Sequence, residues 1–372
     1  MSATQIRRVC QRSLVLLLLV VNASSQSETP TAPSGSWRFA VSGDSRNCGD
    51  VVMPAIAQKV ISDKADFFWH LGDYRAIYTF DEDFHSLNQD INIIDYEKKA
   101  WGDFIESQLK AFGDLPVYLA LGNHENLSPK SQTLDLLQFS DWFAAPGIVK
   151  QRLSDDQSDR GLRAYYHWFH RGVDFITMDN STPDEFDDPQ MAWFTQQLGR
   201  DLINPEVKSI VVGMHEALPD SLAAGHSMND SAQGARSGRL VYQQLVEFQK
   251  KKHVYVLASH AHFFMDNVYN TKCRRESKET ILPGWIVGTG GAAWYELPED
   301  VGGSNHQLAH VYGYLLATVA ADSAIQFEFM PVSEQDAGAV TPRYSPGLVH
   351  QCFTNNSGHY TPKGPTCGCT EK

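Results

Sequence analysis

Positive charge is scarce in this chain: its 372 residues carry 31 Lys and Arg against 44 Asp and Glu, a formal net charge of −13. A globally acidic surface repels polyanions, which argues against a nucleic acid polymer or an anionic lipid surface as partner. A small anion held by a local cation is compatible with it. Long apolar runs are equally scarce. The one that stands out, "SLVLLLLVV", follows a basic start at Arg7, Arg8 and Arg12 and precedes the small residues "NASS". This pattern predicts a signal peptide over residues 1–23 and is too short to span a bilayer comfortably. No stable membrane insertion is expected after its removal, and the expected location is secreted or periplasmic. Internal repeats and low-complexity tracts are absent.

Thiols are few as well. Cys10 falls in the signal segment and is not placed like a lipid-attachment cysteine; Cys48, Cys273, Cys352, Cys367 and Cys369 remain. In an oxidising compartment two bridges and a spare thiol are expected, with a pairing that spacing cannot give. Cys352 with Cys367 or Cys369 would clamp the tail, and Cys48 with Cys273 would tie two loops. A zinc site in the terminal "CGC" is the rival use of those thiols.

What is present is an alternation. Residues 24–36 read as a polar linker, residues 37–333 as one domain, and residues 334–372 as a cysteine-containing tail packed on it. Apolar strand-like runs ("RFAVSG", "DFFWHLG", "PVYLALG") are separated by helical patterns near 50–63, 96–111 and 131–142. A hairpin, "AYYHWFHRGVDFITMD", follows. Next come a helix at "DPQMAWFTQQLGRDL", a strand at "KSIVVGMH", a helix at 238–251 and a strand pair at "HVYVLASHAHFF". "GWIVGTGG", "YGYLLATVA" and "AIQFEFM" read as further strands. Strand then helix, repeated, predicts an α/β layered sheet with parallel neighbours.

The strands share an ending. They close on Asp44, Asp73, Asn123 with His124, His215, and His260 with His262, mostly after a glycine. In such a sheet the carboxyl ends of parallel strands line one edge, where ligands bind. His260 and His262, two apart on an expected strand, share a face and can approach one point in space. One rim would then collect two carboxylates, one carboxamide and four imidazoles, a donor set without thiolate that suits borderline or hard divalent ions.

In this order the blocks "GDSR", "GD" (72–73), "GNHE" (122–125), "GMH" ending at His215 and "SHAH" (259–262) resemble those of the calcineurin-like metallophosphoesterases. The resemblance spans roughly residues 37–295. It implies a four-layer αββα sandwich of the metallo-dependent phosphatase type. It also implies two divalent transition metal ions (Mn, Fe, Zn or Ni), bridged by Asp73. Asp44 and His262 would hold the first, and Asn123, His215 and His260 the second. Two such ions share and acidify a water and clamp the attacking and leaving oxygens. His124 would face the phosphate and stabilise the transition state or protonate the leaving oxygen.

Two departures from the family pattern matter. Arg46 stands where the first block has a histidine ligand, and guanidinium cannot bind a metal. The first ion is then weak or absent, or Arg46 acts as a catalytic fork for phosphate oxygens; an ion pair with a neighbouring acid is the plainer alternative. Ala76 stands where purple acid phosphatases carry a tyrosine, so purple iron(III) chemistry is not supported.

The stretch "YRAIYTFDEDF" after Asp73 offers Tyr74, Tyr78, Phe80 and Phe84 as stacking groups. The segment after His215 offers His226, Arg236 and Arg239 as anion contacts. The expected function is hydrolysis of a small phosphorylated substrate, a phosphomonoester or small phosphodiester. The alternatives are a nucleotide or cyclic-nucleotide hydrolase and a non-catalytic, metal-stabilised binding protein.

Overall fold

In the computed structural model, which describes residues 35–181, 183–223, 225–298 and 306–356, the alternation in "WRFAVS" divides the layers. Trp37, Phe39 and Val41 enter a core between two sheets, while Ala40 enters a second core beneath helices. A period of two does this in any strand covered on both faces.

The strands are β1 (Trp37–Ser42), β2 (Phe68–His70), β3 (Val117–Leu119), β4 (Tyr166–His170), β5 (Val173–Thr177) and β6 (Ser209–Gly213). They continue as β7 (His253–Ala258), β8 (Phe264–Asp266), β9 (Gly284–Val287), β10 (Gln307–Leu308), β11 (Tyr312–Val319) and β12 (Ile325–Val332). One sheet has the order β12-β11-β1-β2-β3, the other β10-β8-β9-β7-β6-β5-β4. The expected parallel neighbours are β1, β2 and β3, which run out to the edge of the first sheet, and β9, β7, β6 and β5, which form the centre of the second. Antiparallel strands complete each sheet, β11 and β12 beside β1 in the first and strands on both sides in the second, including the expected β4–β5 hairpin.

Aromatic rings join the two sheets. Phe39 meets Phe175 edge-on at 4.9 Å, and Trp69 meets Trp168 edge-on at 5.1 Å. Such pairs add about 0.5–1.5 kcal/mol each beyond the burial itself. On the outer face of the first sheet, the helix Gly49–Ser62 buries Val52, Ile56 and Val60 against Phe68 and Leu316. On the outer face of the second, the helices Asp188–Ile203 and Ala232–Gln249 bury Phe194, Val241 and Leu245 against Ile210, Val212 and Val256. Helix, sheet, sheet, helix is the αββα sandwich expected.

Several boundaries differ from the sequence reading. The helix expected at 238–251 starts at Ala232, because Ser231 caps it by accepting a hydrogen bond from Gly234 N at 2.8 Å. The helix expected near 131–142 is two, Gln132–Gln138 and Ser140–Phe143. His260 and His262 lie past the end of β7, in the loop before β8, and not on a strand.

The disulfide expectations are also corrected. Cys48 bonds Cys352, neither to Cys273 nor leaving Cys352 for the tail. The helix Pro346–Thr354 packs against the core beneath the helix Gly49–Ser62, bringing the two Cα atoms to 5.9 Å. Cys273 is itself disulfide-bonded, on a helix at the other sheet where Arg274 lies 3.6 Å over Tyr242. The signal peptide 1–23 and the "CGC" segment lie outside the described residues. Among the described residues no helix is long and apolar enough to cross a membrane.

Candidate metal centre

The carboxyl ends of β1, β2, β3, β6, β7 and β9 meet where the two sheets come together, and backbone bonds lock them there. Gly43 N donates to Val287 O at 3.0 Å and Gly290 N to Gly43 O at 2.8 Å. Ser259 Oγ donates to Leu71 O at 2.9 Å. Three of the expected ligands turn the chain with left-handed backbone: Asp44 (φ 57°), Asp73 (φ 58°) and His260 (φ 62°). Asp and His tolerate this region better than most residues, and such outliers concentrate at functional sites. The preceding glycines serve close approach. A Cβ on Gly72 would lie 2.4 Å from Gly122 N, and one on Gly122 would lie 2.3 Å from Asp73 Oδ1.

All six expected ligands converge. Asp73, His215 and His260 offer ligand atoms within 4.8 Å of one another, and so do Asp44, Asp73 and His262; Asp73 belongs to both groups. Hydrogen-bond logic shows which atoms face inward. His215 Nδ1 lies 2.9 Å from Leu71 O, a pure acceptor, so Nδ1 carries a proton and Nε2 faces the site. There Nε2 meets Asn123 Oδ1 at 3.1 Å, His260 Nδ1 at 3.0 Å and Asp73 Oδ1 at 3.3 Å. Four polar atoms thus crowd one point, which is favourable only if a positive charge, a proton on His215 Nε2 or a metal ion, sits among them.

The electrostatics say the same. Burial alone would lower the His215 pKa, but Asp73, with Asp44 and the Leu71 carbonyl, raises it to about 10. Burial and then the charge of His215 hold His260 well below the usual imidazole range, and so neutral. Burial would raise Asp73, yet His124, His215 and Arg46 hold it well below the usual carboxylate range. The oxygens Asp44 Oδ1 and Asp73 Oδ2 are buried and receive no hydrogen bond. Carboxylate, carboxamide and two imidazoles around one point fit a borderline divalent ion at Asp73, Asn123, His215 and His260.

The first group is different. His262 Nδ1 lies 2.6 Å from Ala293 O, so its Nε2 carries the lone pair and faces Asp44 Oδ1 at 3.3 Å. Into the same space comes Arg46, with Nη2 at 3.0 Å from His262 Nε2 and Nε at 3.5 Å from Asp73 Oδ2. Burial works against the Arg46 charge, but Asp73 and the nearby Tyr295, Tyr78 and Asp44 more than restore it, so its pKa is raised.

His124 belongs to neither group, although its ring reaches the shared Asp73. Its Nδ1 lies 2.8 Å from Ala76 O, which leaves Nε2 toward Asp73 Oδ2 at 3.6 Å. Burial, reinforced by the Arg46 charge, lowers its pKa to about 4. Of the aromatic residues offered for stacking, Tyr78 alone is exposed, with its ring 5.2 Å from that of His124. Tyr74 is fully buried, its hydroxyl on Ala120 O at 2.6 Å, and Phe84 is buried in the same core. Phe80 stacks on His85 at 4.5 Å. Arg239 is bound to Asp220 by two 2.9 Å contacts, whereas His226 does reach the centre, 3.3 Å from His260 Nε2.

Three residues of the centre carried no expectation. Glu125, inside "GNHE", accepts from the N–H groups of Asp73 (2.8 Å), Tyr74 (2.9 Å) and Gly122 (2.6 Å), riveting two ligand loops together. Ser259 lies 3.1 Å from His215 Nδ1. Tyr295 stacks on His262 at 3.9 Å. A carboxylate two residues from an expected ligand was visible in the sequence; the tyrosine, outside the five motif blocks, was not.

A model of the family described as calcineurin-like phosphoesterase matches residues 38–264. Among solved structures, the chain is similar to a purple acid phosphatase from yellow lupin (Lupinus luteus) seeds. The identity is 15% over 80% of this chain and 52% of that chain, with a TM-score of 0.53. It is similar also to a dimetal phosphatase from Danio rerio, at 11% identity over 80% of this chain and 98% of that chain, TM-score 0.49. An anchor of the inner membrane complex of Plasmodium shows 13% identity over 88% of this chain and 98% of that chain, TM-score 0.47. The chain spans about half the length of the lupin protein, and at such identity the likeness shows fold alone. No curated protein sequence matches the chain.

Proposed function

The chain belongs to the calcineurin-like phosphoesterase family, and from that premise we propose that it is an exported, metal-dependent hydrolase of small phosphate esters. The observation that carries this reading is the crowding of His215 Nε2, His260 Nδ1, Asn123 Oδ1 and Asp73 Oδ1 within 3.0–3.3 Å of the first. A positive charge relieves that crowding, either a proton on His215 Nε2 or a metal ion, and the chemistry of the family favours a divalent metal there. When bound, such an ion supplies Lewis acidity toward a phosphoryl oxygen and acidifies a water at neutral pH.

The chain's own residues supply the rest. Arg46 adds a buried positive charge beside Asp73, where negative charge on phosphate must be neutralised. His124 is the acid. Its Nδ1 proton is fixed on Ala76 O, so the proton given to the leaving oxygen must be carried at Nε2. Burial and Arg46 keep that nitrogen unprotonated, and a phosphate dianion arriving beside them opposes both effects. With water as the nucleophile, a monoester yields the free alcohol and inorganic phosphate, and a diester yields the alcohol and a phosphomonoester.

A nucleotide substrate is the narrower reading, and one observation favours it. Tyr78 presents an exposed ring 5.2 Å from the His124 ring, a surface on which a base or aryl group can stack. Export is supported by the Cys48–Cys352 disulfide, which belongs to an oxidising compartment.

The test is a panel of alkyl, aryl and nucleoside phosphate mono- and diesters offered to the metal-loaded protein. Turnover that a chelator abolishes and added metal restores is expected. If no ester in the panel is hydrolysed by protein that holds metal, the protein is a binding protein and not an enzyme.

A further inference from the structure

We infer that the Arg46 guanidinium takes the place of one of the two cations this fold is built around, so that the chain holds a single divalent ion beside a permanent organic cation. The inference rests on the proposal that the convergent donors bind metal, and it concerns how many ions they bind.

The donors decide it. An imidazole nitrogen has one lone pair. His262 Nδ1 must be the protonated nitrogen, because its partner at 2.6 Å is the Ala293 carbonyl. The lone pair on Nε2 is therefore the only bond His262 can offer the centre. Arg46 Nη2, 3.0 Å away, can do nothing but donate, and so it takes that lone pair. It also faces Asp73 Oδ2, at 3.5 Å from Nε, and hydrogen-bonds the side chain of Tyr295. The guanidinium thus stands between His262 and Asp73, two of the three residues whose ligand atoms form the first group with Asp44. A metal ion there would need the same nitrogen and the same oxygen, at close range to a like charge.

Arg46 is also held in place. Its side chain is 9% exposed. The loop that carries it is pinned on both sides: Gly290 N donates to Gly43 O at 2.8 Å, and Cys48 N donates to Gly291 O at 3.1 Å. Cys48, two residues on, is tied to Cys352. Asn47 N donates to Asp81 Oδ1 at 2.5 Å. The second group contains no such intruder. Its acceptors, His215 Nε2, His260 Nδ1, Asn123 Oδ1 and Asp73 Oδ1, face one another without an arginine among them.

The experiment counts ions. Full-length protein loaded with manganese(II) and freed of excess metal is analysed for manganese per chain, and its electron paramagnetic resonance spectrum is recorded. One ion per chain with the spectrum of an isolated ion is expected. The Arg46→His variant is expected to take up a second ion and to show the spectrum of a coupled pair. Two ions per chain in the unaltered protein, or a coupled-pair spectrum, would overturn the inference without touching the hydrolase reading. An Arg46→His chain that folds, as judged by its circular dichroism, and still holds one ion would overturn it too. No manganese at all in the unaltered protein would overturn both. One ion without ester turnover would support this inference and remove the hydrolase reading alone.

Discussion

His124 Nε2 stands 3.6 Å from Oδ2 of Asp73, the carboxylate common to both donor groups. The imidazole therefore reaches that carboxylate while belonging to neither donor group. An acid in this position matters most when the leaving group is poor, because a good leaving group departs without a proton. The His124→Asn variant is expected to lose about 10²–10⁴-fold in kcat on an alkyl phosphate. It should lose much less on p-nitrophenyl phosphate, and its bound metal should be unchanged. Equal losses on both esters would show that His124 binds phosphate and does not deliver the proton.

Glu125 accepts three backbone N–H groups from the two loops that carry Asp73 and Asn123. Replacing it with glutamine sets an NH₂ group against those donors and leaves some of them buried without a partner. Glu125→Gln is expected to cost roughly 2–3 kcal/mol of stability and to weaken metal binding about 10–100-fold, the usual penalty for losing a group that orients ligands. Denaturant unfolding and metal titration of the variant check both.

Much of the site is legible in the sequence itself. Asp44, Asp73, Asn123, His215, His260 and His262 were readable as a set, because each follows an apolar run and strand ends of a parallel sheet share an edge. What the linear pattern could not carry was direction. It placed His260 and His262 on one strand face, whereas they meet the site from a loop in which His260 has φ 62°. It grouped Tyr74 with Tyr78, although Tyr74 packs inward on Phe104 at 4.5 Å and Tyr78 faces outward. Loop residues have no fixed period, so spacing says nothing about which way they point. The Cys48–Cys352 pairing, 304 residues apart, depends on how the tail helix packs, which only the tertiary fold determines.

On the edge strand β4, His167 is held between two carboxylates, with Nδ1 2.9 Å from Asp174 and Nε2 2.5 Å from Asp155. Burial would lower its pKa, but Asp174 and Asp155 raise it to about 10. A raised imidazole contributes stability that is fully present below its unfolded pKa of about 6.5 and is lost as pH climbs through its folded value. Nearby Asp201, raised to about 9 by burial and then by Asp174, works in the same direction, since the folded chain must give up its proton as pH rises. Stability is therefore expected to fall between pH 7 and 10, by about 3–5 kcal/mol from this cluster. The His167→Gln variant should be less stable at neutral pH and show a flatter pH dependence. Urea unfolding at a series of pH values, with both proteins side by side, measures the difference.

The most direct measurement is an anomalous-difference map, collected at the zinc edge, from crystals grown with zinc. A peak is expected at about 2.0–2.2 Å from Asp73 Oδ1, Asn123 Oδ1, His215 Nε2 and His260 Nδ1. A map without density at that point, with the four side chains bonded only to one another, would contradict the metal centre and the hydrolase built on it.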